Sequence, residues 1–332
     1  MKRVLIGSAG GYERLRLVDE PDPEPRGADE VLVRVEAIGV NYADCLVRMG
    51  LYESAKTYVG WPITPGFEVA GTLADGERVI ALTRFGGYAT HVVVPQHQVF
   101  PIPDGFTFAE AAAFPVVHVT AYYALFELCR LRAGMNVLVH SAAGGVGTAL
   151  VAIAKHAGCR VVGVVRGAHK VARVRADVVI DKAATDLWAE AEKAAPDGYD
   201  VVLDANGAET LRQSWKHLAP TGRLVIYGFH TMMTPNKPNW PKLALGWLRT
   251  PRFDPLEMTN ENKSVMAFNL SYLFSRKDLL AESMNALLAL VRDRKLGAPE
   301  VTTFSLEHVA EAHRAIESGK TVGKLVLLTS GA

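Results

Sequence analysis

The sequence predicts an α/β protein that joins a doubly wound parallel-sheet domain to a β-rich one. Three observations predict it. From about residue 117 onward, short Val/Ile-rich runs alternate with amphipathic ones, as strands and helices do around a parallel sheet. The first third is instead strand-like and heavily punctuated by Gly and Pro. Between the buried-strand run Val137-Leu138-Val139 and an apolar-periodic helix lies the turn Ala142-Ala143-Gly144-Gly145-Val146-Gly147.

The elements follow in order. Residues 30–35 have the β-branched content of a strand and follow the turn-rich run 21–27. Residues 78–82 and 89–94 read as further short strands, and 101–105 breaks the chain. Residues 120–129 read as a helix ending before Gly134. Then come strand 136–140, helix 146–157, strands 160–165 and 178–181, helix 186–195, strand 200–204, helix 209–218 and strand 223–227. Residues 264–269 fit a last strand of that sheet, 278–294 a long helix, and 299–303 and 324–328 short strands. The stretch 231–262 shows no clear periodicity. It is either functional or mobile, or a surface loop packed partly through Trp240 and Trp247.

Composition bounds the function. A chain of 332 residues suits two domains, and 49% hydrophobic with 21% charged residues is ordinary for a soluble enzyme. A net charge of +1 supplies no field toward nucleic acid or an anionic membrane, so no nucleic-acid partner is expected. Cys45, Cys129 and Cys159 lie far apart; they form neither a disulfide framework nor a metal cluster and fit a reducing, cytoplasmic compartment. The N-terminal apolar run, 4–6, is too short for a signal peptide. The apolar stretch 111–126 is interrupted by Pro115 and His118 and falls short of the roughly 20 residues of a membrane span.

The turn at 142–147 has the form of a dinucleotide-binding motif, with Ala142 in the place of the first glycine. Gly144 lets the backbone approach a pyrophosphate, Gly147 lets the helix pack on the strand, and the helix N-terminus offers N–H donors and positive potential. Ala143, Gly144, Gly145 and Val146 are therefore candidate cofactor contacts. At the end of the next strand, an acid would suit the ribose hydroxyl of NAD; here the chain reads Arg166-Gly167-Ala168-His169-Lys170. With no acid and two nearby cations, Arg166, Gly167 and Lys170 point to NADP(H), unless both cations are solvated loop charges. The segment 170–177 is too short for the usual intervening helix.

These residues resemble the zinc-less quinone oxidoreductases of the medium-chain dehydrogenase/reductase superfamily over nearly the whole chain. The motifs are Gly39-Val40-Asn41-Tyr42-Ala43-Asp44, Gly50-Leu51-Tyr52, Pro65-Gly66-Phe67-Glu68, Val119-Thr120-Ala121-Tyr122, the 142–147 turn, Tyr227-Gly228 and Val322-Gly323-Lys324. Within that family, 140–147 and Phe268-Asn269-Leu270-Ser271-Tyr272-Leu273 resemble the vesicle amine transport protein homologues. The resemblance implies a GroES-like catalytic domain from 1–116 and 273–332, a Rossmann domain at 117–272, and a homodimer. The chain departs from the family between Gly71 and Arg78, where a trimmed loop is expected.

Zinc-using relatives place Cys and His where this chain has Asn41 and Phe67, and Asp44 with Glu68 makes a poor zinc site, so no metal is expected. Asp44 reads as a helix cap, Glu68 as a buried hydrogen-bonding group, and Cys45 as a packed core thiol. Without a Lewis acid, alcohol oxidation gives way to reduction of an activated C=C or a quinone, which asks for positioning, dryness and a few donors.

By resemblance, Asn41 faces the nicotinamide and substrate and donates to a developing oxyanion. Tyr52 is the candidate proton donor, since a phenol of pKa about 10 is protonated at neutral pH; solvent is the alternative. Thr120 lies beside the nicotinamide. Asn206, Gly228, Phe229 and His230 end sheet strands at the ligand-binding edge, and Phe268 and Leu270 meet the carboxamide. His118 and His230 read as structural rather than acidic groups. The expected activity is NADPH-dependent reduction of a small-molecule quinone or enone. The competing readings are an NADPH-binding interaction protein associated with membrane, lipid or RNA, and an enoyl-thioester reductase.

Overall fold

The computed structural model describes residues 1–329. The chain opens with β1 (Lys2–Leu5), β2 (Arg16–Asp19), β3 (Glu30–Val40), α1 (Tyr42–Arg48), α2 (Glu53–Tyr58), β4 (Glu68–Thr72), β5 (Arg78–Leu82), β6 (His91–Pro95), β7 (Val99–Pro101), α3 (Phe108–Ala113) and α4 (Pro115–Tyr122). It continues through β8 (Asn136–Val139), α5 (Gly145–His156), β9 (Arg160–Val165), α6 (Ala168–Val171), β10 (Val178–Asp181), α7 (Leu187–Ala194), β11 (Tyr199–Asp204), α8 (Leu211–Lys216) and β12 (Leu218–Ile226). It closes with α9 (Trp240–Arg249), α10 (Pro255–Glu261), β13 (Ser264–Ala267), α11 (Lys277–Arg292), β14 (Val301–Ser305), α12 (Val309–Glu317) and β15 (Lys324–Leu328). Two compact units result. One comprises Met1–Val119, Pro235–Pro238 and the chain from Leu270 onward; the other comprises Thr120–Thr234 and Asn239–Asn269.

The first unit is built on a sheet ordered β14-β15-β3-β4-β5-β7, with β6 also paired to β3. β3 runs on to Val40, past the expected end at 35. A register shift between Val35 and Ala37 lets it pair with β6 over its first half and with β4 and β15 over its second. Val33, Val35, Ile38 and Val40 turn inward and pack with Val69, Val79, Ala81, Leu325 and Leu327. Each such side chain contributes roughly 1.5–3 kcal/mol through burial. The trimmed connection between β4 and β5 is a tight turn closed by Leu73 N–H to the Glu77 carbonyl at 2.9 Å. At Gly71, a Cβ would stand 2.0 Å from the Arg34 carbonyl oxygen, so only glycine lets β3 and β4 approach this closely.

The second unit is a six-stranded sheet ordered β10-β9-β8-β11-β12-β13, parallel throughout. This is doubly wound order. Its direction reverses between β8 and β11, and ligands bind beyond the carboxyl ends of strands at such a switch. Leu138, Val162, Val164, Val202, Leu224 and Ile226 form its core with Tyr199, Trp215 and Ala191. Asp186 caps α7 by accepting from the N–H groups of Trp188 and Ala189 at 2.9 Å. As the short 170–177 segment implies, α6 is a single turn.

Three expectations need correction. The helix expected at 120–129 starts at Pro115, a residue compatible with a first turn because its missing N–H would have no helical acceptor there, and ends in a π-turn at Tyr123–Leu128. Pro115 therefore does not shorten the apolar run. The helical stretch Phe108–Leu128 is long and apolar enough to cross a membrane by composition, yet 72% of its apolar 18-residue window is buried in the fold, the pattern of a core helix. Thirdly, the stretch 231–262 is not structureless. Asn239 and Asp254 cap α9 and α10, each with proline in the first turn. Neither helix has a buried residue. Trp240 and Trp247 are 68% and 64% exposed, so they do not anchor a packed loop.

Candidate active site

The strand–turn–helix at β8 and α5 is shaped around its glycines. A Cβ on Gly147 would stand 2.3 Å from the Ser141 carbonyl oxygen and 2.7 Å from Ala142 Cα, so α5 packs on the turn only with glycine there. A Cβ on Gly144 would meet only the Ser141 oxygen, at 3.5 Å. The fold itself tolerates a side chain at Gly144, and the space before it is what a phosphate would use. Gly144 is the N-cap of the 12-residue α5, whose first N–H groups, from Gly145 and Val146 onward, lack intrahelical acceptors and carry the positive helix end. Ala143 is buried behind them. These residues fit a dinucleotide pyrophosphate.

The neighbouring strand ends supply the remaining predicted contacts. Arg166 follows β9 with an exposed guanidinium, and the Gly167 N–H donates to Asp181 Oδ1 at 2.8 Å, tying this loop to the end of β10. Lys170 is mostly buried, and desolvation pushes its ammonium below the usual lysine range. It is not a solvated loop charge. Asn206 is 1% exposed; its Oδ1 accepts from Ser141 Oγ at 2.9 Å and its N–H donates to Asp204 Oδ1 at 2.7 Å. The other Asp204 oxygen accepts from Thr210 Oγ1 at 2.7 Å and Ser214 Oγ at 3.0 Å. Ser214 gives its one proton to Asp204, so His140 Nε2, 3.0 Å away, must donate to it, which leaves His140 Nδ1 bare of both proton and partner. This buried network fixes the loops after β8 and β11 together. Gly228 and Phe229 follow β12, and His230 Nδ1 lies 2.9 Å from the Ala205 carbonyl. Burial lowers the His230 pKa, which favours a neutral structural imidazole. Phe268 follows β13 and packs against Tyr123 at 4.9 Å.

In the first unit, Asn41 sits at the N-terminus of α1, where its backbone N–H donates to Asp44 Oδ2 at 2.7 Å. Asp44 is thus the cap expected, and it also accepts from the Gly66 N–H at 2.8 Å. Burial still raises its carboxyl to about 7. The Asn41 side chain is 8% exposed and lies between a carboxylate and an ammonium. Nδ2 donates to Glu68 Oε1 at 2.9 Å, and Lys324 Nζ donates to Asn41 Oδ1. Lys324 Nζ is also 2.6 Å from Glu68 Oε1, and Glu68 Oε2 accepts from the Val116 N–H at 2.7 Å. Phe67 packs edge-on to Tyr52 at 5.7 Å and tilted to Phe85 at 5.3 Å. Asn41 and Tyr52 are therefore brought to the two sides of the Phe67-Glu68 pair. Thr120 lies within α4 and Leu270 begins a 3₁₀ turn, Leu270–Ser275. Among the described residues, no three His, Cys, Asp or Glu side chains converge as a metal site. An amide, an aromatic ring and a carboxylate already held by an ammonium are a poor donor set for zinc.

Two other buried groups are inert. His118 stacks on Phe114 at 4.0 Å, and burial drops its pKa to about 4. Cys45 is fully buried, 3.4 Å from His313 Nδ1, and its thiol pKa is driven up by desolvation. The partnership of Lys324 with Asn41 is not legible in the sequence. Two signals point to Lys324 itself, its place in the Val322-Gly323-Lys324 motif and a lysine heading an otherwise apolar strand, but neither names its partner.

The family described as alcohol dehydrogenase GroES-like domain matches residues 27–104, and that described as zinc-binding dehydrogenase matches 174–327. The chain is 33% identical over 342 residues to the synaptic vesicle membrane protein VAT-1 homolog of Homo sapiens, covering 99% of this chain and 86% of the relative. The quinone oxidoreductase of Thermus thermophilus, solved also as its complex with NADPH, superposes with a TM-score of 0.79 at 32% identity, over 99% of this chain and 100% of that one. The CurK enoyl reductase superposes with a TM-score of 0.85 at 25% identity, over 98% of each chain. The β-rich unit is thus GroES-like and the parallel-sheet unit Rossmann-like.

Proposed function

The chain belongs to the medium-chain dehydrogenase/reductase superfamily, in the branch of quinone oxidoreductases and VAT-1 homologues, and on that premise we propose that it is a zinc-independent, NADPH-dependent reductase of quinones or α,β-unsaturated carbonyl compounds. In this reading 1–116 and 273–332 form the catalytic domain and 117–272 the cofactor domain. NADPH, when bound, supplies the hydride. The backbone of Gly144, Gly145 and Val146 receives its pyrophosphate, Arg166, Gly167 and Lys170 its 2′-phosphate, and Ala143, Thr120, Asn206, Gly228, Phe229, His230, Phe268 and Leu270 the rest of the dinucleotide.

The observation that carries the reading is the buried cluster Asn41–Glu68–Lys324. Lys324 can only donate, so Asn41 Oδ1 must face it and Nδ2 must face away. One Nδ2 hydrogen goes to Glu68; we assign the other to the substrate oxygen on which charge develops. The ammonium on Oδ1 polarises the amide and strengthens that donor. Tyr52 supplies the proton, with solvent as the alternative. Three free, buried cysteines support a reducing, cytoplasmic setting. β13 ends its sheet with one side unpaired among the described residues, which supports a homodimer.

The test is NADPH oxidation by purified protein with a panel of quinones, enones and enoyl-thioesters. Turnover with the first two classes supports the reading. Turnover confined to enoyl-thioesters moves the substrate class to that of the enoyl reductases.

One observation favours a second reading, an NADPH-binding protein that docks on membrane. Trp240, Trp247 and Leu248 of α9 are 64–71% exposed, beside Lys242 and Arg249. Co-sedimentation with anionic vesicles, together with absent turnover, would favour it.

A further inference from the structure

At the carboxyl edge of the Rossmann sheet, one carboxylate oxygen holds two cations. Glu209 Oε1 lies 3.2 Å from Lys182 Nζ and 3.5 Å from Arg166 Nη2. Lys182 and Arg166 are distant in sequence. The parallel register of β9 and β10 sets Asp181 opposite Val165, and the Lys182 N–H donates to the Val165 carbonyl at 3.0 Å, so the lysine stands beside the end of β9. The Lys182 side chain is only 14% exposed, whereas Glu209 is 47% exposed. The lysine is largely enclosed, and the carboxylate borders solvent.

We propose that Lys182 is a determinant of cofactor specificity, sharing the 2′-phosphate of NADP(H) with Arg166, and that Glu209 is the resident counter-anion which this phosphate displaces. A phosphate monoester carries a charge of about −1.5 to −2 and three acceptor oxygens, so it satisfies two cations better than one carboxylate oxygen does. A cofactor with a bare 2′-hydroxyl gives these cations no comparable anion, and Glu209 remains where it is. The proposal rests on the assignment of NADP(H) to this unit and is independent of the substrate.

Calorimetric titration with 2′,5′-ADP and with 5′-AMP tests it without turnover. The expected result is that Lys182→Met weakens 2′,5′-ADP by about tenfold and 5′-AMP by less than about twofold, as loss of one charge-assisted contact to the phosphate predicts. Glu209→Gln, which removes the competing carboxylate, tightens 2′,5′-ADP and leaves 5′-AMP unchanged. Thermal unfolding checks that both variants are folded, and Glu209→Gln at an exposed position keeps the test open if Lys182→Met is not. Equal effects on the two nucleotides, or none on 2′,5′-ADP, overturn the role of Lys182 while a wild-type preference for 2′,5′-ADP keeps NADP(H). A wild-type protein that binds both nucleotides equally overturns both.

Discussion

Lys324 Nζ stands 2.6 Å from Glu68 Oε1, and both side chains are shut off from solvent at 4% and 0% exposure. A buried pair of this kind adds little net stability over an apolar pair, because desolvation offsets most of the attraction. Its value is to fix the orientation of Asn41.

Removing one partner exposes that balance. Lys324→Met leaves Glu68 charged and buried, and should cost about 3–5 kcal/mol in urea unfolding. Adding Glu68→Gln should recover most of the loss, since a neutral amide needs no counter-charge. A single variant as stable as wild type would contradict the buried pair.

Asn41→Ala tests the donor. Loss of one preorganised donor to a developing oxyanion should lower kcat by about 10²–10³, with KM for NADPH within a few-fold of wild type. A change in KM alone would make Asn41 a binding group only.

Tyr52→Phe keeps the aromatic packing on Phe67 and Phe85 and removes the hydroxyl. If Tyr52 donates the proton, kcat falls by about 10² or more. Unchanged turnover assigns the proton to solvent.

Acid stability follows from buried histidines. His118 and His313 have folded pKa values of about 4 and about 3 against 6.5 unfolded, both through desolvation first. His313 is held neutral between Arg48 Nη1 at 3.2 Å and the Tyr88 hydroxyl at 3.2 Å. Depressed values mean that their contribution is present above pH 6.5 and is lost as pH falls toward 4. Asp44, raised from 3.8 to about 7, acts with the opposite sign, losing stability as pH rises. Two histidines outweigh one carboxyl, so between pH 6.5 and 4 these three groups should remove about 1.4 kcal/mol per pH unit on acidification. His118→Asn should flatten that slope in urea unfolding. A slope unchanged by His118→Asn would show that the histidine is not buried neutral.

The fold was legible where the hydrophobic period was strong. β9 and β10 match their expected bounds because each is a short β-branched run closed by turn residues, β9 buried in the sheet and β10 at its edge with Ile180 inward. α9 and α10 are hard to read from sequence, since they are short and proline-headed and no residue of either is fully buried, although Met258 packs partly against the sheet core. The start of α4 is hidden in the sequence by Pro115, which breaks an apolar run on the page yet belongs in a first helical turn. In the site, the glycine turn announced itself through local geometry. The pairing of Lys324 with Glu68 and Asn41 did not, because it joins β15 to β4 and the start of α1, and a single sequence carries no record of such long-range contacts.

Hydride transfer from NADPH without metal is directly measurable. The direct measurement is mass spectrometry of the product formed from a quinone or enone with NADPH deuterated at nicotinamide C4, in buffer treated with chelator. With NADPH dideuterated at C4, the enone product should carry one deuterium, quinone-dependent NADPH oxidation should show a primary isotope effect, and chelator should leave both rates unchanged. No label and no isotope effect, or activity lost on chelation and restored by zinc, would contradict it.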